Sequence, residues 1–178
     1  MSEGTRLACA CGQTRLALQG APIMVTECLC TSCRAAAERL ALLPGATAIL
    51  TPYAATPCAE YRKDRVRVAA GARHLGEFRL SADAGTRRVI ATCCNTPLFL
   101  ELKGAHWLSL YLHLWPEATR PRPELRTMTG DLGDRSALPD DIPNLKTHTP
   151  RFFAKLFAAW VGMGFRNPKI EVMEKVDA

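Results

Sequence analysis

Seven of the eight cysteines in this chain fall in three tight groups: Cys9 and Cys11, then Cys28, Cys30 and Cys33, then Cys93 and Cys94. Cys58 stands alone and reads as an ordinary thiol. Thiols packed this closely serve as disulfide staples, as a redox pair or as metal ligands, and each use restricts the fold differently. The redox environment decides among them. The opening stretch "MSEGTRLACACG" carries an acid at Glu3 and no apolar run, so no secretory leader is expected, and no segment approaches membrane-spanning length. The chain is expected to be soluble and cytoplasmic, where thiols stay reduced and cysteine clusters bind metal or do chemistry. A redox pair at Cys30 and Cys33 is the weaker reading, because no thioredoxin-like βαβ pattern surrounds it.

Spacing assigns the groups to sites. Alternation along a strand puts Cys9 and Cys11 on one face, but two sulfurs do not close a zinc site. The natural donors are Cys93 and Cys94, which would clip the first hairpin to a later one and so contribute directly to folding. Adjacent cysteines on an extended strand point to opposite faces, so Cys93 needs a local bulge to join Cys94. Failing that, His74, His106 or water would complete the set. The C-x-C-x-x-C run of Cys28, Cys30 and Cys33 offers three sulfurs from one loop entering a helix. Three protein ligands with an open fourth position are what a catalytic zinc requires, and a thiol substrate can fill that position. A second structural site, completed by Cys58 or His74, is the competing reading.

The elements expected around these groups are mostly strands. "TRLACACGQTRLALQG" alternates as a hairpin turning at Gly12, and "APIMVTEC" leads into the second group. "CRAAAERLALL" reads as a short helix closed by Pro44 and Gly45. "ATAILTPY", "RVRVAAG", "HLGEFRLS", "RRVIATC", "PLFLEL" and "HWLSLYLHL" read as further strands of an antiparallel β domain spanning residues 1–115. After Pro116 the chain is rich in Pro, Gly and Asp and reads as an irregular connection. It ends in a helix capped by Thr149 and Pro150, with Phe152, Phe153, Leu156, Phe157, Trp160 and Met163 as an apolar stripe. Residues 116–178 are thus a C-terminal helical extension, packed on the β domain or pairing two subunits as a homodimer.

The formal charge of +6 counts cysteines as neutral. Seven thiolates holding two divalent ions would lower it, so basicity is poor support for a nucleic-acid partner, and none is expected. Nor is a membrane partner. Arg62, Lys63, Arg65 and Arg67 read first as a solvated strand face, and second as a contact for the carboxylates of an anionic substrate. His106 and His113 flank an apolar strand and read as core or edge histidines.

The motifs "CACG" (Cys9 to Gly12), "CLCTSCR" (Cys28 to Arg34) and "CCNTPLF" (Cys93 to Phe99), in this order, resemble those of the glutathione-dependent formaldehyde-activating enzyme and centromere protein V superfamily. The resemblance covers roughly residues 5–115. The "CCNTP" form looks most like an uncharacterised branch of that superfamily, with Ala91 where the usual third motif has its first cysteine and Asn95 in place of glycine. The resemblance implies a mainly β, antiparallel, zinc-bearing β-tent. It implies one structural zinc on Cys9, Cys11 and Cys94, with Cys93 standing in for the missing cysteine. It implies a second, labile and catalytic zinc on Cys28, Cys30 and Cys33. The activity implied is that of a zinc-dependent carbon–sulfur lyase acting on a small thiol adduct such as a glutathione–aldehyde hemithioacetal, the chemistry of S-hydroxymethylglutathione synthase. The alternative is a non-catalytic, zinc-stabilised binding module.

Overall fold

In a computed structural model of the chain, residues 4–172 and 174–178 are described. Eleven strands are present among them: β1 (Thr5–Ala8), β2 (Arg15–Leu18), β3 (Met24–Cys28), β4 (Thr56–Arg62), β5 (Val66–Ala70), β6 (Leu75–Phe78), β7 (Thr86–Ala91), β8 (Thr96–Leu102), β9 (Trp107–Tyr111), β10 (Leu125–Thr127) and β11 (Glu174–Lys175). Two α-helices, α1 (Thr31–Ala41) and α2 (Pro150–Val161), interrupt them. No described helix is long and apolar enough to cross a membrane.

The strands form two sheets. One has three strands in the order β1-β2-β5, the other eight in the order β10-β3-β4-β9-β8-β7-β6-β11. The eight-stranded sheet is antiparallel except at its edges, where β10 runs parallel to β3 and β11 parallel to β6. It is therefore mixed rather than purely antiparallel. The reason lies in the long connection: residues 116–124 return the chain to the β3 edge in the same direction, giving the parallel pairing.

Alternation on β4 explains how the layers stack. Ala59 and Tyr61 face the small sheet, where they join Leu7, Leu16, Leu18, Val89, Phe99, Leu108 and Leu110 in one core. Thr56, Cys58 and Glu60 face the other way. On that second face Cys58, Phe78, Ile90 and Tyr111 pack under Ala36, Ala37 and Leu40 of α1. Farther along it, Met24 packs under Phe152 and Leu156 of α2. The two helices thus share one face of the large sheet and leave a gap between them.

Two expected elements come out differently. Residues 46–53, read as a strand, join neither described sheet and end in a turn through Ala54, at φ 61°. The region read as irregular contributes β10 and a buried cation: Arg126 pairs with Glu27 at 2.7 Å and Asp141 at 2.8 Å and donates to the Tyr53 hydroxyl at 3.2 Å.

The α2 stripe is buried only in part. Thr149 accepts from the Phe152 amide at 3.3 Å, and Pro150 occupies the first turn, where its missing N–H costs nothing. Phe152, Leu156 and Met163 are buried, whereas Phe153 and Phe157 are 56% and 57% exposed. Six apolar residues span more arc than one contact face covers, so this i, i+4 pair falls on the flank. His106 anchors the helix instead: its Nε2 lies 2.8 Å from the Leu156 carbonyl, and its ring stacks on Trp160 at 5.3 Å.

Candidate metal centre and adjoining cavity

Cys9 and Cys11 approach one another through a turn rather than along a strand. β1 ends at Ala8, and the chain folds back through Gly12 at φ 76°. The Thr14 amide then donates to the Cys9 sulfur at 3.3 Å, and the Ala10 amide donates to the Thr96 hydroxyl at 3.0 Å. That second bond ties this turn to the one between β7 and β8.

The vicinal pair is also in a turn. Thr92, Cys93, Cys94 and Asn95 connect β7 to β8, with the Cys94 amide donating to the Ala91 carbonyl at 3.1 Å. Asn95 takes φ 54°, a left-handed conformation that Asn and Gly adopt most easily. The tight turn removes the opposite-face problem. The Cys93 sulfur lies 3.7 Å from that of Cys9, 3.4 Å from that of Cys11 and 4.0 Å from that of Cys94. All four sulfurs lie within 4.8 Å of one another. A tetrahedral ion bound through thiolates at about 2.3 Å sets its sulfurs about 3.8 Å apart, so the four positions fit a closed metal site. His74 and His106 are not among them. The sulfurs differ electrostatically: burial pushes Cys93 up to about 12, whereas for Cys94 burial is outweighed by the Thr96 hydroxyl and groups on Cys11, leaving it at about 6.

Cys28, Cys30 and Cys33 form the second cluster, again with all three sulfurs within 4.8 Å of one another. Cys28 ends β3, Cys30 is the N-cap of α1, and Cys33 lies in its first turn. The Cys33 amide donates to the Cys30 sulfur at 3.3 Å, so this thiolate occupies the helix N-terminus, where negative charge is favoured. Hydrogen bonds from Cys28 and Cys33 hold Cys30 down to about 2. The bond with Cys30 raises Cys28 to about 11, and the bonds with Cys28 and Cys30 raise Cys33 well above its ordinary value.

A buried cation lies beneath this cluster. Arg88 is fully buried on β7 and donates to the Ser32 carbonyl at 3.0 Å and the Thr86 hydroxyl at 3.1 Å. No described carboxylate pairs with it. Buried charge needs compensation. Three thiolates around a divalent ion carry one net negative charge beside Ser32, which fits this guanidinium as well as it fits the donor set.

The second cluster opens onto a cavity of about 350 Å³ in the gap between α1 and α2. Its walls include Leu100, Trp107, Tyr111, Met128 and Phe152, with His148 at the α2 end and Glu60 on β4. Glu60 is 5% exposed, and it accepts from Ser109 at 2.7 Å and Thr26 at 3.3 Å. Burial raises its carboxyl to about 7 against the pull of those two hydroxyls. The residues after Pro116 help build the mouth: Asp131 accepts from the Thr31 amide at 2.9 Å, and Met128 lines the wall at φ 57°. Cys9, Cys11, Cys93 and Cys94 do not line this cavity.

None of Arg62, Lys63, Arg65 or Arg67 lines this cavity. Arg62 pairs with Asp64, Lys63 is buried against Glu101, and Arg65 and Arg67 line a groove on the three-stranded sheet. The reading of this stripe as a substrate contact therefore fails at the thiolate cavity. Glu60 and Arg88 escaped the sequence reasoning. Their signal was parity: each is a charged residue at a position whose alternating neighbours, Cys58 and Ile90, face the protein interior.

No protein-family model and no curated protein matches the chain. Among solved structures, it is similar to a Rhodobacter sphaeroides protein at 17% identity and a TM-score of 0.47, over 79% of this chain and 99% of that one. A likeness of that strength bears on neither chemistry nor partner.

Proposed function

We propose that the chain is a zinc-dependent enzyme of the carbon–sulfur lyase type, acting on a small thiol or its aldehyde adduct at Cys28, Cys30 and Cys33. The observation that supports this most is a contrast between the two clusters. One offers four sulfurs, a full tetrahedral set, the other only three, on the wall of a cavity of about 350 Å³. In this reading Cys9, Cys11, Cys93 and Cys94 hold a structural ion. Cys28, Cys30 and Cys33 hold the second, leaving one position toward the cavity. Bound there, zinc would lower the pKa of an added thiol and keep it as a thiolate.

The chain's own residues supply the rest. The helix N-terminus and Arg88 offset negative charge at the sulfurs, and the apolar walls exclude water. Glu60, with Ser109 and Thr26, offers the polar contact inside the cavity. The test is metal content together with thiol binding. Protein loaded with cobalt should hold two ions per chain, and an added thiol should perturb the charge-transfer bands of one of them. Two ions with no thiol response would instead support a zinc-stabilised binding module.

A further inference from the structure

The cavity's charge narrows the substrate class. Its described lining holds no lysine or arginine and one carboxylate, Glu60; His148, Tyr111 and the cysteines are its other titratable groups. Removing a carboxylate from water costs several kcal/mol unless it is paired. Glu60 finds only two hydroxyls, and no described cation pairs with it. Ser109 and Thr26 each donate to a different one of its oxygens, so both oxygens keep acceptor capacity.

The geometry also gives a length. Thr56 on β4 is directly opposite Cys28 on β3, and Glu60 lies four residues farther along β4. At strand rise that is about 13 Å between backbone positions. The helix and neighbouring-strand walls of the cavity are mostly apolar, with Leu100, Trp107, Tyr111, Met128 and Phe152 among them.

Resting on the open-site reading of Cys28, Cys30 and Cys33, we propose that the cavity selects a small thiol with an apolar middle and a cationic amine at its far end, paired with Glu60. An anionic thiol such as glutathione would bring carboxylates toward Glu60 with no cation on the wall to receive them. An ammonium offers three donors and the missing charge.

Three thiols of matched length test this on the cobalt-loaded full chain: 6-amino-1-hexanethiol, 1-hexanethiol and 6-mercaptohexanoate, with glutathione as a fourth. Dissociation constants are read from the cobalt–thiolate bands. The aminothiol should bind at least about tenfold more tightly than hexanethiol, the scale of one charge-assisted hydrogen bond, and the carboxylate probe more weakly than hexanethiol. In Glu60→Gln the ratio of aminothiol to hexanethiol affinity should collapse toward one. Binding of glutathione or mercaptohexanoate as tight as that of the aminothiol overturns the proposal, as does a ratio that survives Glu60→Gln. Should that variant not fold, the wild-type ranking decides alone. Hexanethiol binding without charge preference defeats this inference and leaves the thiol site standing; no response to any of the four defeats both.

Discussion

The sulfurs of Cys11 and Cys93, 82 positions apart in the chain, stand 3.4 Å from one another. Two turns from different sheets meet there, the one after β1 and the one between β7 and β8, and the Ala10–Thr96 hydrogen bond joins them a second time. An ion at this point would close a long loop, and its binding energy would be folding energy. Cys94→Ser should therefore lose one metal equivalent and its cooperative melting transition together. A soluble Cys94→Ser protein with wild-type melting and wild-type metal content would rule out the structural role.

Cys30→Ala should behave differently. It removes a sulfur from the three-thiol cluster and the N-cap of α1, a cap worth about 1 kcal/mol. The four-sulfur cluster remains intact. One metal equivalent should disappear, the thiol response should go with it, and melting should fall only modestly. Metal analysis and a melting curve on the same preparation check this. Unchanged metal content would mean that these sulfurs hold no ion; global unfolding would make the site structural.

Both clusters could be grouped from the sequence because cysteine spacing is local information, but the manner of convergence was not local. Strand alternation was the wrong device for Cys9 with Cys11, and the opposite-face difficulty at Cys93 vanished because a four-residue turn holds the pair. The parallel edge strand β10 was hidden because three residues carry no period, and its pairing depends on where a long connection returns. Glu60 and Arg88 were hidden for another reason. A charged residue on a strand reads as solvent-facing until the opposite layer is known, and here that layer is two helices and a cavity.

Glu60 carries a pH signature. Burial raises its carboxyl from the ordinary 4.5 to about 7 in the folded chain, so the folded state holds a proton that the unfolded chain has released. The resulting stability is complete below pH 4.5 and is lost as pH rises through 7. In full it amounts to about 3 kcal/mol, of which roughly 1 kcal/mol falls between pH 6 and 8.5. Glu60→Gln cannot ionise, so its stability relative to wild type should grow by about that amount from pH 6 to 8.5. Denaturant unfolding of both proteins at the two pH values measures it. A constant difference, or one that shrinks, would show that the Glu60 carboxyl is not raised by burial.

The C-terminal helix allows a test on neighbouring positions of one element. Leu156 is 2% exposed beside Phe152 and Met24, and its carbonyl receives His106, whereas Phe157, the next residue, is 57% exposed. Truncating a buried leucine removes its transfer free energy and leaves a cavity, at about 2–5 kcal/mol. Truncating a side chain that already faces water costs no more than about 0.5 kcal/mol. Leu156→Ala should thus destabilise the chain strongly, and it should loosen the α2 wall of the thiolate cavity, weakening thiol binding as well. Phe157→Ala should leave stability and thiol binding close to wild type. Urea unfolding of the two variants, at several protein concentrations, separates the alternatives. Equal costs at both positions would mean that the exposed flank is also covered. A cost at Phe157 that grows with protein concentration would identify the cover as a second copy of the chain, the homodimer that the apolar stripe first raised.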